Sequence, residues 1–212
     1  MIVDEEMREY YDRRAADYDD WWLGTGKFAE RERPGWAAEV EQLIRLIAGL
    51  EPARVLDVAC GTGFLTRHLR GEVVALDQSP RMAEIAAARM PAARVVTGDA
   101  VPLPFADGAF DRVFTGHFYG HLLPGEREAF VREARRVAGS LVVVDSALRP
   151  DVDAEQWEER VLSDGSRYRV FKRFFTGPGL ADELGGAEVL HQGDMFVVVS
   201  SQPRGTSARC CA

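Results

Sequence analysis

The segment VLDVACGTGFLTRHL, residues 55–69, decides the fold class of this chain. An apolar run ends at Asp57, glycines follow at positions 61 and 63, and the spacing of a helix then resumes. A strand, a sharp turn and a helix in this order predict the opening unit of a parallel sheet, since glycine permits the turn at no steric cost. In such sheets the ligand lies beyond the carboxyl ends of the central strands, so the junction also predicts a binding pocket.

Short β-branched runs alternate with helical stretches from residue 53 onward, which is typical of strand-helix-strand units. Five runs predict parallel strands at residues 54–58, 73–77, 94–98, 110–115 and 140–146. Two more runs, at 187–192 and 195–201, are separated only by a Gly193-Asp194 turn and predict an antiparallel hairpin. The predicted fold is α/β: a Rossmann-like, seven-stranded, mostly parallel sheet with an antiparallel terminal hairpin and helices on both faces.

Helices are predicted between these strands and ahead of them. Ser79 precedes Pro80 at the start of a helical run that reaches residue 90, and Pro124 opens another that stops at Gly139. Residues 4–48 predict two or three helices, and one side of the first carries a stripe of mostly aromatic residues: Met7, Tyr10, Tyr11, Arg14 and Tyr18. The stripe has two interpretations, packing against the sheet domain or a lid over the pocket.

No composition shift and no linker rich in proline, serine or glycine divides the chain. We expect a single domain over residues 1–202, with a helical lid segment at 1–50 and a core at 51–202 that contains a helix-turn-strand insertion at 153–175. Residues 203–212 are expected to form a disordered tail.

The charge of the chain narrows the class of partner. A net charge of -8, with arginines interspersed among acidic residues, opposes an extended nucleic-acid surface, which needs clustered basic residues. The N-terminus lacks the pattern of a signal peptide, and no apolar run reaches the roughly 18 residues of a membrane span, so we expect a cytoplasmic protein. The three cysteines lack disulfide or zinc spacing. We expect a small or neutral molecule as partner, no metal, and a monomer or homodimer.

Acidic residues follow three successive predicted strands. Asp57 ends the first strand, Asp77 ends the second twenty positions later, and Asp99 follows the third. A carboxylate at the tip of the second strand can accept both hydroxyl protons of a ribose. The pyrophosphate of a dinucleotide needs a helix N-terminus without a carboxylate nearby, whereas Asp57 suits a cationic head beside an adenosine. This rim favours S-adenosylmethionine, which carries an ammonium and a sulfonium.

Three segments resemble, in order, the cofactor motifs of class I S-adenosylmethionine-dependent methyltransferases. DVACGTG at 57–63 resembles their glycine loop, ALDQSPRM at 75–82 their ribose segment, and GDAVPLPFADGAFD at 98–111 their adenine loop. The resemblance extends from YYDRRAADYD, residues 10–19, to LVVVDS, residues 141–146. It implies a small-molecule methyltransferase with a type 11-like domain, which converts S-adenosylmethionine to S-adenosylhomocysteine.

Carried over by position, the resemblance implies a set of cofactor contacts. Asp57, Ala59 and Gly61 would contact the methionine part, and Asp77 the ribose hydroxyls. The other implied contacts surround the adenosine, the adenine edge and the sulfonium: Gln78, Met82, Asp99, the Ala100 backbone and Thr115, with Tyr18 from the N-terminal segment. Ala59 departs from the pattern, which has glycine there, and its methyl group is expected to tighten the loop.

Methyl transfer from a sulfonium by in-line displacement needs an aligned nucleophile, and a base only where the acceptor must lose a proton. His117 and His121, in TGHFYGHLL after the fourth strand, are the candidate bases, with a structural role as the alternative. The Asn/Asp-Pro-Pro-aromatic signature, which in this family grips planar amino groups, does not follow that strand, and its absence favours a small metabolite. The segment RYRVFKRFF, residues 167–175, is interpreted as an ordinary exposed strand, with recognition of an acidic or aromatic acceptor as the alternative.

Two other functions stay open on the sequence. A nicotinamide-dependent oxidoreductase is disfavoured by Asp57 and by Thr66, which stands where the dinucleotide pattern has its third glycine. A non-catalytic S-adenosylmethionine-binding partner protein, which kept the rim and lost turnover, is excluded by no sequence feature.

Overall fold

The computed structural model describes residues 5–201, so the predicted tail at 203–212 lies outside the described residues. Helices occupy Glu5–Arg14 (α1), Asp20–Leu23 (α2), Trp36–Gly49 (α3), Pro80–Arg89 (α4), Pro124–Val137 (α5) and Gly177–Glu183 (α6). Strands occupy Ala53–Val58 (β1), Gly71–Asp77 (β2), Arg94–Thr97 (β3), Phe110–Gly116 (β4), Ala138–Ser146 (β5), Glu155–Val161 (β6), Arg167–Arg173 (β7), Glu188–Gln192 (β8) and Phe196–Ser201 (β9). Within residues 5–201, no helix combines the length and the apolar composition that crossing a membrane requires.

The strands form one seven-stranded sheet and a separate two-stranded hairpin. The order in the large sheet is β3-β2-β1-β4-β5-β9-β8, and the neighbours from β3 to β5 are parallel. β9 runs antiparallel to both β5 and β8. The predicted Rossmann-like sheet with its antiparallel terminal hairpin is confirmed. Strand order reverses between β1 and β4, which is where sheets of this kind bind ligands.

Side chains of the strands alternate between the two faces of the sheet, as the two-residue period requires. Leu56, Val113 and Val143 lie on the face covered by α5 and α6, whereas Val55 and Val142 lie on the face covered by α3. All five side chains are fully buried. Because the central strands are apolar on both sides, helices cover both faces, as predicted.

The prediction of a helix directly after the glycine loop is wrong. Only a 3-10 turn, Thr66–His68, follows the loop before β2 begins at Gly71. Too few residues separate the loop from β2 for an α-helix of ordinary length. Trp22 of α2 instead stacks on Phe64 with ring centroids 4.9 Å apart, so the N-terminal segment covers this side of the loop.

The prediction of a helix-turn-strand insertion at 153–175 is also wrong, because β6 and β7 form an antiparallel hairpin there. Glutamates favour a helical interpretation of this segment, yet residues along β6 alternate between exposed and half-buried, which is the period of a strand. The interpretation of residues 167–175 as an ordinary exposed strand fails as well, since Tyr168, Val170 and Lys172 are buried. β7 packs against the turn at 119–121, which places the hairpin over the carboxyl edge of the large sheet.

Two aspartates fasten the N-terminal segment across this carboxyl edge. Asp12 accepts a hydrogen bond from Ser79 Oγ, at the start of α4, over 2.7 Å. Asp19 accepts one from Thr62 Oγ1 in the glycine loop over 2.5 Å and forms an ion pair with Arg89. The segment ahead of the sheet is therefore bound to the same loops that the sequence assigns to the pocket.

Glu39 of α3 connects the helix layer to the terminal hairpin. Its carboxylate accepts hydrogen bonds from the backbone N–H groups of Met195 and Phe196 at 3.0 and 2.8 Å. His191 Nε2 lies 3.3 Å from the same carboxylate. These contacts fix the start of β9, the strand that joins the hairpin to the rest of the sheet.

We expect Glu39→Ala to lower the free energy of unfolding by about 2–3 kcal/mol, because two partly buried N–H groups lose a charged acceptor. Urea denaturation followed by circular dichroism measures the change. Glu41→Ala is the matched control, since Glu41 lies on the same helix with a side chain that is 71% exposed. Equal unfolding midpoints for the two variants would contradict this role of Glu39.

Candidate functional site

The carboxyl ends of β1, β2 and β4 open into a cavity of about 220 Å³, the rim cavity. Its inner wall is formed by the strand ends and the loops that follow them: Ala59, Gly61, Leu76, Asp77, Gln78, Met82, Gly98, Ala100, Gly116, His117 and His121. Tyr11 and Tyr18 of the N-terminal segment line it as well. Tyr18 lies beyond the end of α1, after a 3-10 turn, and not on the first helix as predicted.

Asp77 ties two loops together at the wall of the rim cavity. Its Oδ2 accepts a hydrogen bond from Gly61 N at 2.8 Å, and its Oδ1 accepts one from Ser79 N at 2.9 Å. A carboxylate oxygen has two lone pairs, so each oxygen retains acceptor capacity for a ligand hydroxyl. Burial raises the pKa of Asp77 to about 6, although the backbone donors oppose this shift.

The glycine loop approaches the N-terminal segment closely. Gly61 adopts φ +55°, and a Cβ at this position would lie 3.3 Å from Cε1 of Tyr18. Ala59 adopts φ +59°, a left-handed conformation that costs a residue with a Cβ on the order of 1 kcal/mol. The alanine that replaces the expected glycine therefore places backbone strain in the loop that faces the cavity.

Asp57 lies beneath the glycine loop and not in the wall of the rim cavity. Its Oδ2 accepts a hydrogen bond from Thr66 Oγ1 at 2.6 Å, and its Oδ1 is buried with no partner among residues 5–201. It borders a pocket of about 10 Å³ that shares Tyr18, Ala59 and Gly116 with the rim cavity. Burial raises the pKa of Asp57 to about 8, so the carboxyl group is mostly neutral at pH 7 unless a cation lies beside it.

Besides Asp57, two more residues that the sequence assigns to the site do not line the rim cavity. Asp99 is half exposed, with its carboxylate 3.3 Å from Arg8, and its neighbours Gly98 and Ala100 line the wall in its place. Thr115 is fully buried, and its hydroxyl donates to Val58 O at 2.8 Å inside the sheet. The third strand ends at Thr97, and Asp99 lies in the loop beyond it.

A second cavity, of about 480 Å³, meets the rim cavity at two histidines. His117 and His121 line both cavities, as do Tyr11 and Tyr18. We call the second one the basic cavity because six cationic side chains line it: Arg14, Arg31, Arg33, Arg149, Arg160 and Lys172. The two candidate bases therefore stand at the boundary between two compartments.

The two histidines differ in how their ring nitrogens are engaged. His121 Nδ1 lies 2.7 Å from Phe171 O, which can only accept, so Nδ1 carries the proton and Nε2 keeps its lone pair. His117 adopts φ +57°, packs edge-on against Trp21 and Trp22, and has no partner for Nε2 within residues 5–201. Burial is the main cause that lowers the pKa of both rings to about 3. Both imidazoles are therefore neutral at pH 7.

Sequence reasoning missed a buried ion pair at the end of β5. Asp145 is fully buried and accepts hydrogen bonds from Lys172 Nζ at 2.6 Å and from Gly120 N at 2.7 Å. Burial opposes its ionisation, yet the ammonium of Lys172 brings the pKa of Asp145 below its ordinary value. The available signal was an aspartate at the end of the apolar run VVVDS, in the same position relative to its strand as Asp57 and Asp77.

Residues 56–142 match a family model described as a methyltransferase domain. The chain is 35% identical over 113 residues to the demethylmenaquinone methyltransferase of Thermotoga maritima, a match that covers 50% of this chain and 48% of that protein. It is 33% identical over 194 residues to the ajmaline N-methyltransferase of Rauvolfia serpentina, which covers 74% of this chain and 65% of that protein. The chain thus spans about half and about two thirds of the length of these curated relatives.

Solved structures share this fold over nearly the whole chain. A DhpI-SAM-HEP complex superposes with a TM-score of 0.74 and 26% identity, covering 94% of this chain and 97% of that one. A DhpI-SAH complex gives a TM-score of 0.72 and 29% identity, covering 94% and 96%. Residues 56–142 thus form a domain of the S-adenosylmethionine-dependent methyltransferase family.

The residues of this chain fit the cofactor of that family. Gln78 Oε1 and Asp57 Oδ1 are buried acceptors with no partner among residues 5–201, and Asp77 retains acceptor capacity. These acceptors match the hydroxyl, amine and ammonium donors of S-adenosylmethionine. Leu76 and Met82 form an apolar part of the cavity wall, which a purine ring requires.

Asp57→Asn is expected to stabilise the free protein at pH 7.5. The pKa of Asp57 is about 8 in the folded chain, above its ordinary value of 3.8. Between these values the folded chain holds a proton that the unfolded chain has lost, so stability falls as the pH rises, and asparagine removes this loss. We expect a melting temperature at least about 3 °C above wild type at pH 7.5 and no difference at pH 4, measured by scanning calorimetry.

Asp111→Asn is a control for which we expect no increase in the melting temperature. Hydrogen bonds from Arg54 lower the pKa of the exposed Asp111 to about 2, so its contribution is present at neutral pH and is lost as the pH falls toward that value. This variant is expected to melt at or below the wild-type temperature. An Asp57→Asn variant that melts below wild type at pH 7.5 would show that Asp57 is already ionised in the free protein.

Proposed function

We propose that this methyltransferase binds S-adenosylmethionine in the rim cavity and methylates a small molecule that occupies the basic cavity. The observation that carries the proposal is the boundary that the two cavities share, formed by Tyr11, Tyr18, His117, His121 and Val170. A methyl donor on one side and an acceptor on the other meet at this boundary, which provides the proximity that the reaction needs. Relatives named for demethylmenaquinone and ajmaline support a small acceptor.

Bound S-adenosylmethionine supplies an electrophilic methyl group with a good leaving group, so the task of the chain is to bind and orient. Asp77 accepts hydrogen bonds from the ribose hydroxyls, because each of its oxygens has only one backbone donor and can accept another bond. Asp57 binds the ammonium from beneath the glycine loop, and Gln78 and the Ala100 backbone border the adenine. Thr115 has an indirect part, since its bond inside the sheet fixes the strand end.

The N-terminal segment is proposed to act as the lid. Tyr11 and Tyr18 form part of the wall of both cavities, and Asp12 and Asp19 bind the segment to the loops beneath it. The lid and packing interpretations therefore describe the same contacts. Excluding water in this way strengthens the electrostatic interactions that orient the acceptor.

His121 is proposed to accept a hydrogen bond from the acceptor through Nε2. The bond between Nδ1 and Phe171 O fixes the ring, which leaves the Nε2 lone pair available at the boundary. With a pKa of about 3, the imidazole orients a donor group on the acceptor but binds a proton only weakly. His117, whose ring packs edge-on against Trp21 and Trp22, is proposed to form the wall of the boundary.

Asp77→Ala is expected to weaken S-adenosylhomocysteine binding by about a hundredfold, because two hydroxyl acceptors and the tie between two loops are lost. Titration calorimetry measures the affinity, and circular dichroism checks the fold. Asp99→Ala is the matched control, since Asp99 lies just outside the cavity, and we expect a change of less than about threefold.

Two outcomes would contradict the assignment of the rim cavity. One is unchanged affinity for S-adenosylhomocysteine in Asp77→Ala. The other is binding of NADH in place of S-adenosylhomocysteine by the wild-type chain, since the carboxyl groups of Asp57 and Asp77 are unsuited to a pyrophosphate.

His121→Gln is expected to lower kcat by at least about tenfold and to leave the affinity for S-adenosylhomocysteine unchanged. His68→Gln is the control, since His68 lies outside both cavities. Because the pKa of His121 lies far below its ordinary value, we expect the pH profiles of the wild-type and His121→Gln rates to have the same shape near pH 6.5. An inflection near pH 6.5 in the wild-type profile alone would show that His121 titrates as an ordinary base.

A further inference from the structure

The acidic residues that line the basic cavity are half as many as its cationic residues and leave part of its positive charge uncompensated. These residues are Glu32, Asp151 and Glu158, of which Asp151 pairs with Arg149 and Glu158 pairs with Arg160. A chain with a net charge of -8 thus concentrates cationic groups on one internal wall. A wall of this kind attracts an anion and repels a cation.

Arg14 faces the basic cavity with no carboxylate partner among residues 5–201. Its guanidinium donates to the hydroxyl of Tyr10 at 3.1 Å and lies 4.8 Å from the centre of the Tyr18 ring. Its Nε is buried and has no hydrogen-bond partner within the same residues. A desolvated guanidinium without a counter-ion is unfavourable, and a planar or tetrahedral oxyanion satisfies its paired donors.

Lys172 of β7 adds a second cationic group, an ammonium, to this wall. It is buried, and within residues 5–201 its Nζ makes one hydrogen bond, to Asp145 at 2.6 Å. An ammonium has three donors, so two of them are available to a ligand in the cavity that Lys172 lines. Asp145 also accepts from two backbone N–H groups, which holds the pair in place.

We propose that the acceptor carries an oxyanion, either a carboxylate or a phosphoryl group, and that Arg14 and Lys172 bind this group in the basic cavity. The inference rests on the proposed function and names the acceptor class that the proposed function leaves open. An anion held by these two residues lies in the compartment that adjoins the rim cavity, so the rest of the acceptor reaches the boundary at His121.

Titration calorimetry on the full chain loaded with S-adenosylhomocysteine tests this inference. Inorganic phosphate represents the phosphoryl group, phenylacetate represents the carboxylate, and phenylacetamide is the neutral match of phenylacetate. We expect at least one of the two anions to bind, and the amide to bind at least about tenfold more weakly than phenylacetate if the carboxylate is the preferred group. Failure of both anions to bind would overturn the inference.

Arg14→Gln is expected to weaken binding of the anion at least about tenfold, with partial recovery in Arg14→Lys, which keeps the charge. Arg13→Gln is the matched control, because Arg13 precedes it on α1 and pairs with Glu9 at 2.7 Å and Asp164 at 3.2 Å near solvent. Equal losses in Arg14→Gln and Arg13→Gln would remove Arg14 from the site. Arg14→Met, which keeps the apolar stem, replaces Arg14→Gln if that variant does not fold.

The affinity for S-adenosylhomocysteine separates the two ways to fail. A chain that binds phosphate through Arg14 and does not bind S-adenosylhomocysteine contradicts the proposed function and keeps the anion site. A chain that binds S-adenosylhomocysteine and neither anion keeps the rim cavity and contradicts the acceptor class.

Discussion

The buried carboxylate of Asp77 holds the binding edge of this protein together. One oxygen accepts from Gly61 N in the loop after β1, and the other accepts from Ser79 N at the start of α4. Ser79 in turn donates its hydroxyl to Asp12 of the N-terminal segment. A single acidic side chain therefore positions the glycine loop, the first turn of a helix and, indirectly, the segment that covers the cavity. The group proposed to bind the ribose is also the group that shapes the site.

Charge is distributed in opposite ways inside and outside the molecule. The chain is acidic overall, yet its larger cavity is lined by six cationic side chains and only three acidic ones. Buried carboxyl groups lie under the glycine loop and at the rim cavity, where they suit a cationic cofactor, and cationic side chains lie across the boundary, where they suit an anion. The neutral rings of His117 and His121 separate the two regions, and burial keeps them neutral.

The large sheet could be predicted from the sequence because its signals are local. Each parallel strand is a short apolar run, and the Gly193-Asp194 turn specifies the terminal hairpin within a few residues. The insertion could not be predicted in the same way. β6 is rich in glutamate and is mostly exposed, so its composition favours a helix, and only the pairing with β7 decides that it is a strand.

The rim cavity was predictable in part and the basic cavity was not. Asp77 is the last residue of its strand, so its position on the edge is fixed by strand geometry, whereas Asp99 lies in the loop after its strand, and the sequence does not specify the path of that loop. The basic cavity depends on residues that are far apart in the chain, with Arg14 on α1 and Lys172 on β7. Its charge emerges only when the hairpin and the N-terminal segment come together over the sheet.

A carboxyl group that is neutral in the free protein should ionise when a cationic cofactor binds beside it, and proton release measures this directly. Calorimetric titration with S-adenosylmethionine at pH 7, repeated in buffers of different ionisation enthalpy, counts the protons released. We predict release of about one proton per cofactor bound, because the pKa of Asp57 in the free protein is about 8, and none in Asp57→Asn. Binding without proton release in the wild-type chain, or equal release in the two chains, would contradict a cationic site built on Asp57.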